Sequence, residues 1–324
     1  GKYKKGSKQK MLKDKNIYLI PCLGFLSVIL VGWIVLMLPI CNNGNVTPFD
    51  ALFTAVSATC VNGLATVNLG VDYSFLGQLT IAIIIEIGAI GFVTFISFIL
   101  SFKKKRMSLS ETLLLSSALN DNHYGKLKQR LKEVIKYTTV IQIIGAILLA
   151  VDFIPRFGIR NGIWYSIFYS ITAFCNAGFD MIGDTGLEIF AKNIYVNIVF
   201  IILMFLGSIG YFVIEDIIGA IKKKSFIHIS FHTKIVLTAS LIIYLVSIML
   251  LKIAEPNLTW LEAVFTSVAV RTTGFSTINM AETLPITKLI ISFLMIIGGA
   301  PRFNIWWNKN YINCNFSFNC KGNS

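Results

Sequence analysis

The feature that most constrains this chain is its set of long apolar runs, at roughly 17–40, 75–102, 134–154, 194–221, 233–253 and 286–300. An α-helix needs about 20 apolar residues to cross about 30 Å of hydrocarbon. Most of the runs reach that length; the last is shorter and ends at Pro301. Only 14% of the 324 residues are charged, where a soluble domain carries about 25%. The first run is too long for a cleaved signal peptide and lacks its small-residue cleavage site. The expectation is an all-α, multi-pass protein of the cell membrane. Six cysteines without regular spacing suggest neither a disulfide scaffold nor a zinc site.

Charge sets the orientation. Seven lysines lie in 1–16, nine basic residues in 103–136 and four in 222–234. The alternate segments hold none in 41–74, three in 154–192 and three in 252–288. Basic residues stay on the cytoplasmic side, so the N-terminus is predicted to be cytoplasmic. The net charge of +13 then reads as anchoring at lipid headgroups, with no nucleic-acid partner. The stretch 107–132 is amphipathic and suits the membrane surface.

The outward segments repeat a pattern. Each contains a short helix-like stretch running into a glycine: TPFDALFTAVSATCVNGL, NGIWYSIFYSITAFCNAGFD and TWLEAVFTSVAVRTTGFS. Phe53, Phe168 and Phe265 precede Gly63, Gly178 and Gly274 by ten, ten and nine residues. The next apolar run carries Gly88-Ala89-Ile90-Gly91, then Gly207-Ser208-Ile209-Gly210, then Gly298-Gly299-Ala300-Pro301. Recurrence at this scale outweighs any single motif. Thr47 suits an N-cap and Pro48 a first helical turn, and the helix they start is far too short to span. It is expected to dip into the membrane and return, which is tolerated only where the backbone is buried or lines a water-filled cavity. Three such segments around one axis would line a pore.

Rings of backbone carbonyls can replace an ion's hydration shell without a fixed countercharge. Aiming successive carbonyls requires leaving helical geometry, which glycine makes cheap. The candidate cation-binding filter residues are Thr59, Cys60, Val61, Asn62 and Gly63; Phe174, Cys175, Asn176, Ala177 and Gly178; and, after Val270, Arg271, Thr272, Thr273 and Gly274. The bland alternative is that each glycine merely caps a helix. Arg271 is expected to point away from the path and pair with Glu255, Glu262 or Glu282, because intramembrane charges find partners.

These three segments, with the run ending IIGGAP, resemble the Trk/Ktr/HKT superfamily of potassium transporters, most closely its KtrB/TrkH-type subunit. The likeness covers about 17–301. It implies repeated M1–P-loop–M2 units around one pore, with Gly63, Gly178 and Gly274 as filter glycines and Gly298, Gly299, Ala300 and Pro301 leading into the gate region. It also implies K+ as the transported ion and only metal, Na+ as a coupling ion in some members, no cofactor, a homodimer, and a cytosolic nucleotide-binding KtrA/TrkA-like regulatory subunit, in a bacterial setting.

The expected division is a basic cytoplasmic N-terminus (1–16), a first repeat (17–102), a cytoplasmic or interfacial linker (103–132), a second repeat (133–221), a cytoplasmic linker (222–232), an incomplete third repeat (233–301) and an aberrant tail (302–324). The family has four repeats, of which three are expected here. Its glycine-rich gating loop, resembling GSTAGGIKTT, gives way after Pro301 to an Asn-rich tail. A shifted reading frame is the working hypothesis. Trp306-Trp307 requires TGG TGG, which one base later forces Gly-Gly. Resequencing across Pro301 to Tyr311 tests this. With three of four walls, the chain as written is expected not to transport alone, and growth rescue of a K+-uptake-deficient strain would defeat that expectation.

The leading function is the membrane subunit of a potassium uptake system; the alternatives are a non-transporting truncated remnant and an intramembrane enzyme. No HExxH helix, Ser/Lys dyad or paired catalytic carboxylates favour an enzyme. Glu86 either faces an inner vestibule or pairs with a polar neighbour. Asp180 is a candidate for concentrating cations at an outer mouth, and Glu215-Asp216 reads as a solvated helix end. His123, His228 and His232 lack metal spacing.

Overall fold

The structure, a computed structural model, describes residues 22–91, 127–182, 186–222, 229–280 and 282–297. The chain forms two compact units that divide between Gly186 and Leu187. That boundary falls inside the 133–221 segment, so units and sequence repeats partition the chain differently. Among the described residues the only β feature is an isolated bridge between Asn42 and Tyr73.

In the first unit, α1 covers Cys22–Met37 and α2 Pro48–Thr59. The one-turn α3 is Leu69–Asp72 and α4 is Phe75–Ile90. α5, Leu127–Phe174, is two helices joined at Gly158, where φ is +79°. Pro155 stays helical and the break comes three residues later, so the second membrane wall runs past the predicted 154. The start of α2 is closed as expected. Thr47 Oγ1 accepts from Asp50 N while the Asp50 carboxylate accepts from Thr47 N, which satisfies two otherwise orphan donors. α4 packs against both α2 and α5.

In the second unit, a 3-10 turn at Gly186–Phe190, which straddles the boundary, leads to α6, Ile194–Ile209, and α7, Tyr211–Lys222. These are followed by α8, Phe231–Ala254, α9, Trp260–Thr272, and α10, Pro285–Ile297. α9 starts with the same reciprocal cap as α2, now Thr259 with Glu262. It packs against α6, α8 and α10, with Val270 joining Leu251, Ile291 and Leu294 in an apolar core.

Two runs expected to be continuous are broken. α4 ends at Gly91 (φ +87°, ψ 132°), and residues 92–102 lie outside the described residues. α6 ends at Gly210 (φ +83°, ψ 155°), and the chain bends by 107° into α7. Both breaks fall on the last glycine of the recurring four-residue mark, because a non-glycine residue resists that conformation.

Among the described residues, two helices are long and apolar enough to cross a membrane, Lys132–Phe174 and Phe231–Ala254, and the bent pair α6–α7 would make a third. Their outer faces are apolar: Ile147, Val151 and Leu241 are 60% or more exposed. Small polar residues such as Ser166, Ser170, Thr172, Ser240, Ser247 and Ser267 lie buried between helices. This polarity inverts that of a soluble protein and matches helix packing in lipid, where small and hydroxyl residues fill interfaces.

Candidate functional site

The first two candidate segments share one backbone design. α2 ends at Thr59 and Cys60 is its C-cap. Val61 N then donates to Ala58 O (3.2 Å) and Asn62 N to Ser57 O (2.9 Å). In the second segment, Asn176 N donates to Ala173 O (3.2 Å) and Ala177 N to Thr172 O (2.8 Å). Both are Schellman caps, with the left-handed position at Val61 (φ +56°) and Asn176 (φ +57°). Gly63 (φ +77°) and Gly178 (φ +72°) lie two residues beyond it. Neither glycine is therefore the cap, and each makes a second reversal of the chain.

The third segment is built differently. Thr273 is the C-cap of α9 in right-handed geometry, and Gly274 (φ +80°) follows directly. Gly274 N donates to Ala269 O (2.9 Å). The left-handed residue of the other two segments is absent. α9 runs seven residues past Phe265, where α2 and α5 run six past Phe53 and Phe168. Two loop residues fewer and one helical residue more account for the nine-residue spacing seen in the sequence.

The non-helical stretches begin later than the sequence suggested. Thr59, Phe174, Arg271 and Thr272 are still helical, and Thr59 Oγ1 is turned back onto Ala55 O (2.7 Å). Cys60 and Asn62 are exposed, whereas Cys175, Asn176 and Ala177 are buried. Gly298, Gly299, Ala300 and Pro301 lie outside the described residues.

Gly63 and Gly178 meet within the first unit. A Cβ on Gly63 would overlap the Ala177 carbonyl oxygen and come within 3.1 Å of Gly178 Cα. A Cβ on Gly70 would likewise overlap the Met181 carbonyl oxygen. The two segments thus run side by side, backbone against backbone. α4 closes on their inner ends: a Cβ on Gly88 would overlap Thr59 O and approach Val61 Cγ2 to 3.1 Å. Here glycine is required by close approach as well as by dihedral.

Polar side chains brace this assembly. Gln142 Nε2 donates to Glu86 Oε1 and to Cys175 Sγ (3.7 Å), and Ser170 Oγ donates to Gln142 O (2.7 Å). Glu86 therefore has the polar neighbour that one reading expected. Asp180 accepts from the Tyr169 hydroxyl and from Ile182 N (2.9 Å), so its carboxylate holds the loop after Gly178. Trp164 Nε1 donates to Gln78 Oε1 (2.7 Å). In the second unit, the buried Arg271 lies 4.8 Å over the Tyr244 ring, a cation–π arrangement. Glu255 accepts from Leu284 N and Thr287 Oγ1, Glu262 caps α9, and Glu282 accepts from Asn279. Asp216 accepts from Ser230 and Thr233 Oγ1 and ties down the start of α8, which is more than a solvated helix end. His123 and His228 lie outside the described residues.

Sequence reasoning missed Gln142, Val61 and the Thr259–Glu262 cap. An amide in the apolar run 134–154 was the signal for the first, and Thr-x-x-Glu before Trp260 for the last. A left-handed valine has no sequence signal.

Residues 25–312 match the family of TrkH cation transport proteins. The chain belongs to that family. The match takes in the first eleven residues of the 302–324 tail. The chain is 37% identical to the potassium/sodium uptake protein NtpJ of Enterococcus hirae, over 85% of this chain and 63% of that protein. It is 34% identical to the Ktr system potassium uptake protein B of Bacillus subtilis, over 85% and 64% respectively. The chain thus spans a little under two thirds of these relatives. Its fold is similar to that of the potassium transporter TrkH from Vibrio parahaemolyticus, with a TM-score of 0.60 at 14% identity, covering 87% of this chain and 60% of that one. This is an all-α membrane protein of a transport family and not an enzyme family.

Proposed function

We propose that the protein is the membrane subunit of a potassium uptake system, with K+ stripped of water by backbone carbonyls of the segments ending at Gly63, Gly178 and Gly274. The observation that carries this reading is the backbone-to-backbone approach of Gly63 to Ala177 and Gly178. Two re-entrant stretches with matching caps that meet at their glycines suit a narrow carbonyl-lined passage. The names of the relatives supply the ion, and the basic segments supply the orientation, with the N-terminus cytoplasmic. The partners that fit are a second copy of the chain and a cytosolic nucleotide-binding regulatory subunit. Na+ serves as a coupling ion in this reading only if it competes at the same segments.

The test is thermal unfolding of the purified protein in detergent, with KCl titrated against choline chloride at fixed ionic strength. A ligand that binds only the folded state raises its stability as its concentration passes Kd. K+ is expected to raise Tm in the wild type and to have no effect in a Gly178→Asp variant. Equal Tm values in KCl and choline chloride would overturn the reading.

A further inference from the structure

One turn of α4 reaches both candidate segments of the first unit. Gly88 packs on the Thr59 carbonyl and on Val61 at the head of the first segment. Glu86, two residues earlier, is linked to the second through Gln142, whose side-chain amide donates both to the Glu86 carboxylate and to Cys175 Sγ. The backbone of Gln142 is held as well, by Ser170 in the short helix that carries Cys175. Glu86 and Gln142 are 56 residues apart in sequence, so only the fold joins them. An amide and a carboxylate inside membrane-spanning helices are costly unless they serve each other or a path. Here they form a strut between the wall helix α4 and the C-cap residue of the second segment.

Carbonyl selectivity depends on how far the ring can relax around a smaller ion. A strut at the base of a segment limits that relaxation. Resting on the filter reading above, we propose that Gln142 is a positioning residue that holds the second segment through Glu86 and Cys175, and thereby sets the preference for K+ over Na+. It touches no ion itself.

The experiment uses the full chain in detergent and reads the ratio of K+ to Na+ concentrations that half-maximally raise Tm, with choline as the balancing cation. Gln142→Leu keeps the volume and removes both hydrogen bonds; Glu86→Leu removes the anchor; Glu86→Gln keeps an acceptor. We expect Gln142→Leu and Glu86→Leu to shift the ratio toward Na+ by about fivefold or more, and Glu86→Gln to stay within about twofold of wild type. Should Gln142→Leu not fold, Cys175→Ala severs only the link to the segment and is read in the same way. A wild-type ratio retained in Gln142→Leu and Glu86→Leu, or in Cys175→Ala if Gln142→Leu does not fold, overturns the proposal and leaves the filter reading intact. A wild type indifferent to K+, Na+ and choline overturns both.

Discussion

Gly63 stands so close to the Ala177 carbonyl that no side chain fits between them. Gly274 has the same sense of backbone turn but open space where a Cβ would be. The two glycines are therefore unequal in substitution. Gly63→Ala adds a backbone collision to an unfavourable dihedral and is expected to cost about 3 kcal/mol or more. Gly274→Ala meets only the dihedral cost, about 1–2 kcal/mol. Denaturation midpoints of the two purified variants check the order.

Val61 occupies a left-handed conformation that β-branched residues resist. Asn176 fills the equivalent place in the second segment, and its side chain donates to Phe174 O (3.3 Å). Val61→Asn is expected to stabilise the protein by about 1 kcal/mol, and Asn176→Val to destabilise it by at least as much. Opposite shifts in Tm support this account; two shifts of the same sign contradict it.

Gly88 and Gly219 are both helical, yet only Gly88 is crowded. Gly88→Ala forces α4 away from Thr59 and is expected to destabilise by about 2 kcal/mol. Gly219→Ala, with nothing within 4 Å, is expected to stabilise α7 by up to about 1 kcal/mol through helix propensity. Urea titration in detergent measures both.

Asp50 lies outside the spanning helices, at the exposed start of α2. Hydrogen bonds from Thr47 and then Thr66 hold its carboxyl below the ordinary carboxylate range. A depressed folded-state value means the stabilisation is present above the unfolded value of about 3.9 and is lost as pH falls through the lower, folded one. Acidification into that window is expected to loosen the α2 cap in the wild type. Asp50→Asn should remove that pH dependence, and Thr66→Val should move the transition to higher pH. Hydrogen exchange of the Asp50 and Ala51 amides against pH reads the effect.

Cys60 and Cys175 hold the same C-cap position in their segments, but only Cys60 is exposed. If Cys60 faces a water-filled passage, a membrane-impermeant thiosulfonate is expected to modify it and to leave Cys175 unmodified, with K+ slowing the reaction. Mass spectrometry of the labelled protein decides this; prompt labelling of Cys175 would count against the packing described here.

Hydropathy and charge made the helical class, the apolar walls and the short helix after Pro48 readable, because each rests on local composition. The recurrence of Gly63 and Gly178 was visible for the same reason. The breaks at Gly91 and Gly210 were hidden inside uniformly apolar runs, since hydropathy carries no information about dihedrals. Pro155 drew attention as the end of a wall, yet the chain turns at Gly158, where a positive φ is cheap. The link from Glu86 to Gln142 depends on which helix faces meet, and periodicity in a lipid-exposed run does not report that. The shorter cap before Gly274 was legible as one missing residue, but its geometry was not.

At Gly91 the hydrogen-bonded ladder of α4 is closed off, its last amide satisfied by Ile87 O. Bending below that point therefore sacrifices no bond above it. Whatever the cytoplasmic half of this wall does, the turn bearing Glu86 and Gly88 can stay still. The chain thereby separates a stiff upper mouth from a lower part free to tilt, as a door frame stays square while the door swings.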